Sequence, residues 1–79
     1  MRARVFVTLK PGVLDPQGRA IASALVHDGF AEVRSARVGK LIEVELDERD
    51  AGRARQRLTE MCEKLLANTV IERYDIELG

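Results

Sequence analysis

His27 and Cys62 are the only histidine and cysteine in this chain of 79 residues, and with the carboxylates they are the groups that could act as acid, base, nucleophile or metal ligand. His27 falls off the apolar stripe Ile21, Ala24, Leu25 of a helix, near its C-terminal end, where a cation is favoured. No serine, cysteine or carboxylate pattern accompanies it, so a solvated helix-end residue is the simpler reading. Cys62 lies at the edge of a second apolar stripe, and nothing in Met61-Cys62-Glu63 would lower a thiol pKa. It reads as a core thiol. With a single cysteine there is no intramolecular disulfide and no C-x-x-C ligand cluster. Glu43 with Glu45, and Glu60 with Glu63, place paired carboxylates on one face of a strand and of a helix. Without His or Asp at ligand spacing they read as solvated faces, and no metal site is expected.

The stretch Lys10 to Gly18, KPGVLDPQG, holds both prolines and two of the six glycines. A strand, a glycine-bearing loop and a helix N-terminus can cradle a phosphate. Here Asp15 already occupies the N-cap, and its carboxylate repels an anion at the same donors. Arg19 follows the loop, as an acylphosphatase-like site would require, but the acidic cap argues against that site too. Gly18 is the odder residue. Within the first helical turn it costs about 1 kcal/mol relative to alanine, and a close approach by another backbone is a reason to keep it.

The elements that position these residues follow from periodicity. Val5, Val7 and Leu9 alternate with Phe6 and Thr8 as a strand, which Pro11 and Gly12 stop. A helix of about three turns follows, with Asp15 as N-cap, Pro16 at the first helical position and Gly29 beyond its end. Residues 32–46 read as a hairpin turning at Gly39-Lys40, pairing Val38 with Leu41, Ala36 with Glu43 and Arg34 with Glu45 on one face. The other face pairs Val33 with Leu46, Ser35 with Val44 and Arg37 with Ile42. Acidic residues between Asp47 and Asp50 open a second helix, whose stripe is Ala51, Ala54, Leu58, Met61 and Leu65. Asn68 is placed to end it in the left-handed conformation. Tyr74, Ile76 and Leu78 alternate with Arg73, Asp75 and Glu77 as a last strand.

This order, β-α-β-β-α-β, predicts an α+β two-layer sandwich of ferredoxin-like type, a mainly antiparallel four-stranded sheet with two helices on one face. The helix side would hold Val5, Val7, Leu9, Val33, Val44, Leu46, Tyr74, Ile76 and Leu78. The open side carries Phe6, Val38 and Leu41 as an apolar patch where another copy could dock.

Thirteen basic and thirteen acidic residues cancel, which removes the sequence-independent attraction that nucleic-acid binders use. The Arg53, Arg55, Arg57 run has no interleaved aromatics, and an RNA-recognition sheet would need stacking rings where the third strand has Glu43 and Glu45. No apolar run spans a bilayer or resembles a signal peptide, so the chain reads as cytoplasmic, with no nucleic-acid or membrane partner. A chain of this size buries only about 60% of its unfolded surface. Self-association is therefore the expected staple.

Lys10-Pro11-Gly12-Val13-Leu14-Asp15-Pro16-Gln17-Gly18, Gly29-Phe30, Val38-Gly39-Lys40 and Leu65-Leu66-Ala67-Asn68 before Val70-Ile71-Glu72 and Tyr74 resemble the PurS family, the small subunit of phosphoribosylformylglycinamidine (FGAM) synthase. The resemblance covers nearly the whole chain as one domain, residues 1–79. Thr69 departs from it, where the family often has proline after the asparagine. It implies a part in de novo purine synthesis, where formylglycinamide ribonucleotide (FGAR), glutamine and ATP give FGAM, glutamate, ADP and phosphate. It also implies a homodimer or higher oligomer that assembles a large PurL-type synthetase holding ATP and Mg with a PurQ-type glutaminase, and supports ammonia transfer between them. No catalytic residue or cofactor is then expected in this chain. By the same resemblance Lys10, Asp15, Pro16, Gln17, Gly18, Gly39, Lys40 and Asn68 fall at subunit contacts or the turns that shape them. The alternative is a free-standing ACT-like domain that senses a small ligand, since such domains share the strand order.

Overall fold

Burial alternates along Arg2–Leu9 (β1), with Ala3, Val5 and Val7 at most 1% exposed, as a central strand with one wet face requires. The computed structural model describes residues 1–79. Gly39–Glu45 (β2) and Glu72–Leu78 (β3) flank β1 in the order β2-β1-β3, both antiparallel to it. The register runs from Arg2 opposite Glu45 to Thr8 opposite Gly39 on one side, and from Ala3 opposite Leu78 to Leu9 opposite Glu72 on the other. On the wet face Arg4 faces Glu43 at 4.0 Å and Glu77 at 3.9 Å. Exposed pairs of this kind are worth about 1 kcal/mol or less, so they favour the register more than they add stability.

The α+β class and the antiparallel sheet are as expected, but the sheet has three strands. The expected hairpin over 32–46 does not form: residues 32–38 are not a strand, and Gly39 is the first residue of β2 rather than a turn. The reason lies in competing partners. Val38 gives its N–H to the Asp15 carboxylate and the Arg37 side chain reaches back to the β1–α1 loop, so the segment is tied to the start of a helix instead of to β2. Val33, expected on the sheet, donates its N–H to the Phe30 carbonyl in a turn.

Ala51–Met61 (α2) begins at Asp50, whose side chain accepts from the Arg53 N–H at 3.1 Å. Ala54, Leu58 and Cys62, each four residues apart, are fully buried, and Leu58 and Cys62 pack with Ala3, Val5 and Val7 in the core. The helix then widens into a π turn, Cys62–Leu66, closed by the Ala67 N–H on the Cys62 carbonyl at 3.1 Å. An extra residue in a turn rotates everything after it. Leu66 and Ala67 therefore meet the core, while Leu65, expected in the stripe, is 83% exposed. Asn68 is not left-handed, because no residue other than glycine has positive φ; the chain leaves the helix through extended backbone at Ala67.

Pro16–His27 (α1) is capped by Asp15 as expected. It ends in a Schellman arrangement, with the Phe30 N–H on the Leu25 carbonyl and the Gly29 N–H on that of Val26. No α1 side chain belongs to the core cluster. The molecule measures 48 × 25 × 14 Å, with a radius of gyration of 15.9 Å, where a compact chain of this length has about 12 Å. An eight-residue strand of ~26 Å followed by a twelve-residue helix of ~18 Å accounts for the long axis. So α1 projects beyond the sheet that α2 covers.

Candidate functional site at the Asp15 corner

The β1–α1 loop opens with a type II turn. The Val13 N–H reaches the Lys10 carbonyl at 3.1 Å, with Pro11 at the second position and Gly12 at φ +88° at the third, the backbone that only glycine takes readily there. Arg37 holds this turn from outside, its Nη1 on the Val13 carbonyl at 3.0 Å and its Nη2 on the Lys10 carbonyl at 3.2 Å. The Lys10 N–H donates to the Ile71 carbonyl at 2.8 Å, which fixes the loop to the entry of β3.

Asp15 is 6% exposed and spends both oxygens on main chain: Oδ1 accepts from the Gly18 N–H and Oδ2 from the Val38 N–H, each at 2.8 Å. These two donors, Val38 first, hold its carboxyl below the ordinary value of 3.8, with the Arg37 charge adding to the effect. Such a carboxylate is an anchor and not a base. Gly18 answers the question its position raised: a Cβ there would collide with the Ala36 carbonyl oxygen. The backbone that approaches it belongs to its own chain.

A cleft of about 320 Å³ lies beside this anchor, lined among others by Asp15, Gln17, Val38, Gly39, Lys40 and Glu72. Four of the expected residues, Asp15, Gln17, Gly39 and Lys40, thus meet in one place although they come from two distant segments. Pro16 begins α1 beside them, Gly18 lies beneath, and Lys10 anchors the turn. Asn68 reaches the corner indirectly, donating its N–H to the Glu72 carboxylate at 2.7 Å while its Oδ1 accepts from the Val70 N–H at 3.2 Å. Phe6 and Leu41 face each other across strands, 36% and 50% exposed. Val38 is not with them; it lines the cleft with Val7 and Leu9. The anchoring roles of Arg37 and Glu72 were not legible in the sequence, where Arg37 reads as a strand residue opposite Ile42.

The remaining reactive groups do not converge on this corner. Cys62 is buried, and burial together with the Glu63 charge pushes its thiol up, away from reactivity. Tyr74 donates its hydroxyl to Glu63 at 2.8 Å, which pushes the phenol up to about 12. The His27 side chain is 91% exposed, with Asp28 at 3.9 Å. No three His, Cys, Asp or Glu side chains are grouped to hold a metal.

Fold and corner define a class: a small α+β protein of ferredoxin-like type whose buried carboxylate, Asp15, and neighbouring Arg37 grip its own main chain instead of framing a reaction centre. Within that class the family is shown. The model of the PurS family, "Phosphoribosylformylglycinamidine (FGAM) synthase", matches residues 2–79, and the chain belongs to that family. It is 49% identical over 75 residues to the phosphoribosylformylglycinamidine synthase subunit PurS of Synechocystis, covering 95% of this chain and 75% of that protein. The crystal structure of Methanocaldococcus jannaschii PurS, one of the subunits of formylglycinamide ribonucleotide amidotransferase in the purine biosynthetic pathway, superposes with a TM-score of 0.88 at 41% identity, covering 96% of this chain and 92% of that one. A chain in the structure of PurLQS from Thermotoga maritima gives 0.88 at 29% identity, with 96% and 93% covered.

Proposed function

We propose that this chain is the non-catalytic small subunit of an FGAM synthase complex in de novo purine biosynthesis. It joins a PurL-type synthetase to a PurQ-type glutaminase and supports the passage of ammonia from one to the other. The observation that carries this reading is the likeness, over 96% of the chain, to a chain in the Thermotoga maritima PurLQS structure. Residues 1–79 act as one PurS-like domain, and the reaction takes FGAR, glutamine and ATP to FGAM, glutamate, ADP and phosphate. ATP and Mg belong to the synthetase, and this chain contributes surface.

Lys10, Gln17, Lys40 and the turn residues around them serve as contacts, supported by the meeting of Gln17 and Lys40 in the cleft beside Asp15 and by the bond from Arg37 to the Lys10 carbonyl. The chain works as a homodimer or higher oligomer, a reading supported by its small core and projecting α1. No helix is long and apolar enough to cross a membrane, and we place the protein in the cytoplasm with the pathway. The ligand-sensing alternative gains no support, since the similar structures are PurS chains. Mixing purified chain with the PurL- and PurQ-type proteins of the same organism tests the assembly. One complex containing all three by light scattering is expected, and a mixture in which the chain elutes alone contradicts the reading.

A further inference from the structure

On the other side of Asp15 a second cleft, of about 430 Å³, opens between the β1–α1 loop, α1 and residues 34–37. Three guanidinium groups border it: Arg19 from α1, and Arg34 and Arg37 from the segment before β2. The single acid in its wall is Asp15, whose two oxygens are both occupied by main-chain N–H groups. Arg37 is held in place by two carbonyls, while neither Arg19 nor Arg34 has a carboxylate within 4.0 Å. In a chain whose charges sum to zero, and where Arg2 and Arg4 on the sheet face glutamates, this is a local surplus of positive charge.

The walls say which anion fits. Val13, Ala22 and Ala36 give apolar lining, and Leu14 beside them is 74% exposed. An aliphatic stem ending in a carboxylate matches that combination, with the guanidinium groups presenting paired N–H donors. A phosphate dianion gains nothing from the apolar lining and meets more repulsion from Asp15. We propose that this cleft receives a glutamate or aspartate side chain from an acidic segment of a partner subunit, a proposal that rests on the assembly role above and assigns it a surface.

The test compares wild-type chain with Arg19→Glu/Arg34→Glu in binding the purified PurL- and PurQ-type proteins at low and moderate salt, with far-ultraviolet circular dichroism as the check on folding. Both side chains are exposed, and the variant is expected to fold and self-associate as the wild type does. Its affinity for the partner that docks here is expected to fall about tenfold or more, and the salt dependence of binding to flatten, as for removal of a complementary interfacial charge. Wild-type affinity and salt slope in the variant overturn the proposal. So does loss of self-association, which would put a second copy in the cleft, or a thermal shift by inorganic phosphate in wild type alone, which would make it a small-oxyanion site. If wild-type chain binds neither partner, the assembly role itself fails, which is distinct from a variant that binds as well as wild type.

Discussion

Asp15 carries the corner because one carboxylate closes two gaps in the backbone, the first turn of α1 and the approach of residue 38 to β2. Its folded-state pKa is depressed, so its contribution is present above about 4 and lost as pH falls through the lower folded value. Asp15→Asn keeps one acceptor and turns an amide N–H against a main-chain N–H. Its denaturation midpoint is expected below wild type at neutral pH, with the gap closing in an acid series as pH falls below the ordinary carboxylate range. Gly18→Ala separates a close approach from ordinary helix propensity: at a free helical site alanine adds about 1 kcal/mol, whereas collision with the Ala36 carbonyl is expected to cost about 1–3 kcal/mol in urea unfolding. Tyr74 has a raised pKa, so its hydrogen bond to Glu63 contributes fully below about pH 10 and is lost as pH rises through about 12. Ultraviolet titration of Glu63→Gln should return the phenol towards its ordinary 10.0.

Among the elements, those whose periodicity agrees with their tertiary partners were legible in sequence. These are β1, the start and end of α1, the α2 stripe from Ala54 to Met61, though not its expected first member Ala51, which is exposed, and β3. The α2 continuation was not, because a π turn leaves no mark in a three-four spacing, and Leu65 and Leu66 differ only in which of them the wider turn aims inward. The pair Leu58→Ala and Leu65→Ala tests that turn. The first removes a fully buried side chain and is expected to cost about 2–5 kcal/mol; the second, exposed, should stay within about 0.5 kcal/mol by chemical denaturation. A regular α-helix through residue 65 would give both a large cost. The absent hairpin has a different origin: its alternation is present in the sequence, but the bonds that draw it elsewhere, Val38 N–H to Asp15 and the Arg37 side chain to the Val13 and Lys10 carbonyls, join residues more than 20 apart. Single-strand patterning carries no information about such bonds. For the same reason the family motifs were readable as motifs, yet their meeting in one corner became visible only in three dimensions.

For the whole molecule, the core is one sheet face under α2, and α1 stands clear, with its Ile21 and Val26, and Phe30 just beyond its end, between 39% and 50% exposed. A core this small supplies little stability alone, so light scattering at micromolar concentration should give at least twice the chain mass; a monomer would contradict the self-association reading. We propose that the chain couples ammonia release to ammonia use without performing either. The direct measurement is the rate of FGAM synthesis by the reconstituted PurL- and PurQ-type proteins with and without this chain, using glutamine or free ammonia as nitrogen source. Omitting the chain is expected to abolish glutamine-dependent synthesis and to leave the ammonia-dependent rate largely in place. Unchanged glutamine-dependent synthesis in its absence would contradict it.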